Sequence, residues 1–111
     1  MKTISMTGPA SALLAMSEAI QLYADAAYPL GGSECAQAAR AGLLDTVEKI
    51  NVQVSQQQNP VTISRRIKTH IKSAIQYYHE VNTEENELSA QRCRVMLAML
   101  NGENIQDNEW P

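Results

Sequence analysis

The chain has 111 residues, of which 44% are hydrophobic, 19% charged and 5% aromatic, with no Phe. This length fits one domain, and the composition is that of a globular protein rather than a disordered one. The net charge of −3 argues against a general attraction to nucleic acid or to an anionic membrane.

The N-terminal stretch and the cysteines bear on location. Lys2 is the only charge before Gly8 and Pro9, and no apolar run precedes them, so no secretory signal is expected. No segment approaches transmembrane length. The two cysteines, Cys35 and Cys93, lie far apart in the chain and are predicted to be free thiols in a reducing compartment. A cytoplasmic protein without membrane contact is therefore expected.

The first predicted helix begins at Pro9, where a missing N–H group costs nothing. Its apolar stripe recurs at spacings of three and four residues, and consists of Leu13, Met16, Ile20, Tyr23, Ala27 and Leu30. Alanines flank this stripe and favour close antiparallel packing. Pro29 and the Gly31–Gly32 pair end the helix.

Ser33 is a suitable cap for the second helix, whose stripe is Ala39, Leu43, Val47, Ile50 and Val54. Residues 50–55 also alternate like a strand and could pair with 61–64 across a glutamine-rich linker. That alternative is a short β-hairpin near residues 50–64. Helix is favoured, because an isolated two-stranded hairpin is marginal in water.

Asn59 and Pro60 are suitable first residues for a third helix. Its stripe is Ile67, Ile71, Ala74, Tyr78 and Val81, with Ile63 and Ile75 beside it. Asn82 and Glu85 have the spacing of a capping box at the start of a fourth helix. Asn101 and Gly102 are a typical helix stop.

These elements predict an all-α fold, a small four-helix bundle-like domain of two helical hairpins. The domain is expected to span residues 1–102, followed by a flexible polar tail at 103–111. Trp110 lies in this tail. The sequence leaves open whether it docks on the bundle, inserts into a partner or is frayed.

No catalytic or metal-binding pattern is present. His70 and His79 are nine residues apart. On a helix this spacing does not place both side chains on one face, as a spacing of four residues would. Cys93 falls on the same helical face as Met96 and Leu100, which favours a buried structural thiol. We therefore expect no enzyme activity, no cofactor and no metal.

A basic cluster on the third helix suggests one possible function. Arg65, Lys68 and Lys72 fall on one face at spacings of three and four. This face favours either an acidic partner or, as the alternative function, a nucleic-acid-binding transcriptional regulator. The turn that a helix-turn-helix motif requires is absent from the preceding sequence.

The fourth helix carries more apolar surface than one buried stripe explains. Residues 95–100 form an unbroken apolar run, and Leu88, Val95 and Met99 mark a second face. Contiguous apolar surface often marks a partner site. We therefore predict a non-enzymatic protein–protein interaction module that self-associates, first of all as a homodimer. The opposing possibility is that the other three helices bury the fourth.

The predicted partner-binding residues are the apolar anchors Leu88, Val95 and Met99, the charged rim Arg65, Lys68 and Lys72, and the tail residue Trp110. In size, charge and predicted helicity the chain is similar to small acidic helical regulators of bacteria and their phages. That resemblance implies a regulator, adaptor or inhibitor that binds another protein. The identity of the partner and the oligomeric order do not follow from the sequence.

Overall fold

The computed structural model describes residues 2–82 and 86–111. Its elements in chain order are β1 (Thr3–Met6), α1 (Ala10–Ala27), α2 (Glu34–Ser55), β2 (Val61–Ser64), α3 (Lys68–Val81) and α4 (Asn86–Leu100). Short 3-10 turns cover Arg65–Ile67 and Asp107–Glu109. Among these described elements, no helix is both long and apolar enough to span a bilayer.

The helices form two hairpins, α1 with α2 and α3 with α4, and α1 contacts each of the other three helices. This helix packs against α2 on one side and α3 on the other, while α4 packs mainly on α3. The buried positions of α1 alternate large and small side chains, among them Leu13, Met16, Ile20 and the alanines Ala12, Ala19 and Ala24. The alanines let neighbouring helices approach closely. The predicted helical bundle-like fold is confirmed.

The predicted helix boundaries hold where the sequence has strong local signals. Ser33 caps α2 by accepting a hydrogen bond from the Ala36 N–H at 3.2 Å. Gly102 follows α4 with a φ of +92°, the left-handed conformation that favours glycine at a helix end. Asn82 lies at the end of α3, where its side-chain amide donates to the Tyr78 carbonyl. Its predicted capping-box partner, Glu85, lies outside the described residues.

A two-stranded antiparallel sheet departs from the prediction in its partners. Residues 50–55 continue α2, as favoured, and β2 pairs with the N-terminal strand β1, with Ile4 opposite Ile63 and Met6 opposite Val61. The third helix therefore begins at Lys68 rather than at Asn59–Pro60. Alternate residues of β2 are buried, which is the period of a strand. Local patterning does not reveal a pairing partner so distant in the chain.

The outer edge of β2 is closed by a side chain of α2. The Gln53 carboxamide accepts from the Thr62 N–H and donates to the Thr62 carbonyl, both at 2.8 Å. One side chain thus takes the place of a neighbouring strand at this residue. This contact covers a strand edge that is otherwise free to pair with another chain.

The C-terminal segment lies against the domain. Ile105 is only 7% exposed, and its N–H donates to the Thr7 carbonyl at 2.9 Å. Trp110 is half-buried, packs against the core and stacks with Arg92, whose guanidinium carbon is 5.5 Å from the ring centroid. The boundary at residue 102 and the flexible tail stay predictions, and these contacts argue against both. Trp110 is docked on the bundle.

Candidate functional site

The three apolar anchors predicted on α4 differ in burial. Leu88 and Val95 are half-buried, and Met99 is fully buried. Met99 therefore has no surface to offer a partner, and this part of the prediction is corrected. The turn between β1 and α1 covers Met99. Gly8 in this turn lies so close to Met99 that a Cβ built on it would be 2.6 Å from the Met99 sulfur.

The remaining surface of α4 is more polar than its sequence suggests. Of the apolar run at 95–100, three residues are buried and three are half-buried. Leu88, Arg92 and Val95 share one flank by helical spacing, and Trp110 stacks on Arg92. The chain's own C-terminal segment thus covers part of the flank that the sequence assigned to a partner.

The predicted basic rim extends over a 3-10 turn and the first turns of α3. Arg65 lies in the 3-10 turn before α3, Lys68 is the first residue of α3, and Lys72 is one turn further on. Arg65 and Lys72 are exposed, whereas Lys68 is half-buried. The three cations stay close in the chain, and their role in partner choice stays a prediction.

A second basic group appears where α2 meets the start of α3. Arg66 and His70 line a groove of about 440 Å³ together with Lys49 of α2. Its α2 wall includes Ala38 and Gly42, so the helix backbone is near the surface there. Lys49 also forms an exposed ion pair with Asp45 at 2.9 Å.

A histidine and a thiol lie in the contact between α3 and α4. His79 Nδ1 lies 2.9 Å from Ser89 Oγ, and Cys93 Sγ donates to the Ile75 carbonyl at 3.4 Å. Burial raises the pKa of the Cys93 thiol, and Ser89 is only 2% exposed. These contacts link α3 to α4, with Ser89 and Cys93 buried and His79 half-buried. Within the described ranges, no group of three or more His, Cys, Asp or Glu could hold a metal.

Two large exposed apolar side chains share one face of α1, a helix for which the sequence predicted no partner contact. Leu14 and Leu22 are 46% and 39% exposed. Both line a groove of about 330 Å³ that Val47 of α2 closes on the far side. We call this the α1–α2 groove. Two turns of helix separate the leucines, which places them about 12 Å apart.

The charge in the α1–α2 groove is acidic. Glu18 lies between the two leucines along α1 and is the only ionisable residue among the described residues that line it. Beyond Leu22, Asp25 pairs with Arg40 at 2.9 Å, and hydrogen bonds from Gln21 and then Arg40 hold its pKa below the ordinary value. Glu18 is therefore the charge that a bound surface would meet.

The sequence contains a signal for this groove. Leu14, Glu18 and Leu22 recur at a spacing of four residues, on the face opposite the buried stripe. Leucines on a polar face indicate either a second packing partner inside the chain or exposed apolar surface. The unbroken run in α4 was the stronger pattern, although the fold buries much of it.

Comparison of the chain with protein-family models, with curated proteins and with solved structures finds no match.

Proposed function

We propose that this protein is a non-enzymatic protein–protein interaction module that self-associates, and that its contact surface is the α1–α2 groove. The observation that carries the proposal is the exposure of Leu14 and Leu22 on one stripe of α1. Two large apolar side chains flanking a groove are the kind of anchor that interfaces bury. A symmetric pair of copies would bury both leucines twice.

The expected strength of this association is modest. Burying a whole leucine side chain stabilises by about 1.5–3 kcal/mol, so the exposed parts of four leucines contribute about 4 kcal/mol. Losses of rigid-body and side-chain freedom oppose this gain. Glu18 adds like-charge repulsion between two copies, which salt screens. We therefore expect a weak dimer that becomes tighter as ionic strength rises.

The proposed biological role is that of a regulator, adaptor or inhibitor of another protein. A regulator, adaptor or inhibitor would present the same groove to another protein, with self-association as a competing or storage state. A cytoplasmic setting belongs to this proposal, because Cys35 and Cys93 are both free thiols. The exposed cations Arg65 and Lys72 would then favour partners with acidic surfaces.

Sedimentation equilibrium at concentrations from about 0.1 to about 3 millimolar tests the proposal, because a gross gain of about 4 kcal/mol corresponds to a dissociation constant of about a millimolar or weaker. The wild-type chain should show a rising average mass, and Leu14→Gln with Leu22→Gln should remain monomeric. Leu30→Gln is the matched control, because Leu30 is 79% exposed and lies outside the groove. A wild-type chain that stays monomeric at all these concentrations, at high as well as low salt, contradicts self-association.

Nucleic-acid binding is the second candidate, favoured by the grouping of cations around the α2–α3 junction. Lys49 and Arg66 line the same groove, while Arg65 and Lys72 are exposed nearby on the chain. Salt separates the two functions, because nucleic-acid binding weakens steeply as counterions are added. Self-association through the α1–α2 groove should strengthen under the same titration, because salt screens the repulsion between the two Glu18 side chains.

A further inference from the structure

A polar cleft forms at one end of the bundle, where three distant segments meet. Strand pairing places the loop before β2 beside Thr7, and the backbone bond from Ile105 brings the C-terminal segment to the same point. The cleft has a volume of about 600 Å³. Its polar wall consists of Thr7, Asn59, Asn104, Gln106, Asp107 and Asn108. We call it the carboxamide cleft.

The wall offers hydrogen-bonding groups of both kinds. Asn59, Asn104 and Asn108 are exposed, so their amide groups are available to a ligand. Each carboxamide presents two N–H donors and one carbonyl acceptor. A ligand that alternates donors and acceptors, as a peptide main chain does, can pair with several of them at once.

An apolar recess opens beside the cleft. It has a volume of about 280 Å³ and is lined by Pro9, Ala10, Leu13 and Val54 together with Gln57 and Gln58, while Gly8, Asn59 and Asp107 line both chambers. The recess therefore opens directly off the polar wall. A ligand that fills both chambers must carry an apolar group next to its hydrogen-bonding groups.

The electrostatics favour a neutral ligand. Among the residues that the structure describes, no Lys, Arg or His lines either chamber, and Asp107 is the only ionisable group. Asp107 shares the recess with Ala10, the first residue of α1. The partial positive charge of a helix N-terminus offsets part of a carboxylate charge placed there. An anionic ligand finds no partner charge in the described lining, and the carboxylate that a cationic ligand would meet is partly offset by the α1 N-terminus.

The geometry points to a binding site for an extended, uncharged peptide segment. Its main chain would pair with the carboxamides of Asn59, Asn104 and Asn108, and one aliphatic side chain would enter the recess against Leu13 and Val54. A sugar offers similar donors and acceptors. The described lining lacks the aromatic side chain on which a sugar ring stacks, and the aliphatic recess has no use for a hydroxyl-rich ligand.

The direct test uses the blocked tripeptide acetyl-Ala-Leu-Ala-amide as the probe. Titration is followed through the side-chain amide signals of Asn59, Asn104 and Asn108 in a nitrogen–proton correlation spectrum. Saturable shifts with a dissociation constant on the order of a millimolar are expected for a ligand of this size. Methylating the main-chain nitrogen after Leu should weaken binding about fivefold, because one donor is lost. Replacing Leu by Ser should weaken it about tenfold.

Variants of the protein separate the site from general stickiness. Asn104→Ala and Asn108→Ala should each weaken binding of the probe about fivefold. Asn101→Ala, an equally exposed asparagine outside the cleft, should bind as the wild-type chain does. Two carboxamide variants are used so that the test survives if one of them does not fold.

Several results would overturn the inference. They are the absence of saturable shifts in the cleft signals, equal binding of the N-methylated probe, or an equal effect of Asn101→Ala. Saturable shifts of the same signals by methyl glucoside, with none from the peptide, would assign the cleft to carbohydrate instead. These outcomes are independent of self-association, because the cleft and the α1–α2 groove share no lining residue.

Discussion

Replacing Ile105 by Ala measures how firmly the C-terminal segment is held. Ile105 is 7% exposed, and a Cβ built on Gly8 would lie 3.5 Å from the Ile105 Cβ. Removing three side-chain carbons forfeits about 2.4 kcal/mol of burial at about 0.8 kcal/mol each. Because the side chain borders an open cleft, little closed cavity remains to add to this loss. We expect a decrease in the free energy of unfolding of about 2–3 kcal/mol.

Urea denaturation followed by circular dichroism gives this free energy, with the slope expected to stay unchanged. Leu30→Ala is the control, since Leu30 is 79% exposed and its truncation should change stability by less than about 0.5 kcal/mol. If Ile105→Ala is as harmless as Leu30→Ala, the segment is not docked in solution. The polar wall of the carboxamide cleft would then lose four of its six residues from the folded domain.

Three further predictions concern stability and reactivity. An aromatic disulfide reagent should modify the exposed Cys35 rapidly and the buried Cys93 only after unfolding. Burial raises the pKa of the Cys93 thiol above its ordinary value of 9.0, so its contribution to the free energy of unfolding should be constant below pH 9.0 and should decrease as pH rises above that value. The pKa of Asp25 lies below its ordinary value of 3.8, so the ionised carboxylate stabilises the fold above pH 3.8, and this contribution is lost as pH falls through the lowered pKa. Acid unfolding curves of Asp25→Asn should therefore lack that component, and Arg40→Met should reduce it. Gln53→Ala leaves an N–H and a carbonyl of β2 without their partner, so urea unfolding should show a loss of about 1–3 kcal/mol.

Local sequence signals predict most of the helical fold. The apolar spacing of α1, the Ser33 cap of α2 and the glycine after α4 each act within one or two turns, and each is present in the structure. Helix formation depends on neighbours at three and four residues, so these features can be inferred without knowing the rest of the fold.

The sheet and the burial of α4 depend on contacts that no local window contains. Ile63 has the helical spacing of four residues to Ile67, and with Val61 it also has the spacing of a strand, so only pairing with residues near the N-terminus decides between the two. Met99 is buried because the turn at Gly8 passes over it. A helix that looks too apolar for one small bundle is thus covered by a strand, a turn and the C-terminal segment.

The exposed surface of the α1–α2 groove also depends on contacts between distant parts of the chain. The sequence predicted association from surplus apolar surface, and the structure moves that surface from α4 to α1. Leu14 and Leu22 are exposed because α2 and α3 occupy the other two sides of α1, an arrangement set by topology rather than by local pattern. The carboxamide cleft also joins segments from three parts of the chain, so its residues looked like ordinary loop residues.

Intermolecular paramagnetic relaxation tests the proposed contact surface most directly. One copy of the protein, at natural nitrogen abundance, carries a spin label on the exposed Cys35, while burial protects Cys93 from the label. It is mixed with a second copy that is enriched in nitrogen-15 and carries no spin label. Self-association through the α1–α2 groove predicts broadened signals around Leu14 and Leu22 of the nitrogen-15 copy, and their recovery on adding Leu14→Gln with Leu22→Gln to the labelled copy. Broadening confined to the outer face of α4 around Arg94, or no broadening at any concentration, contradicts it.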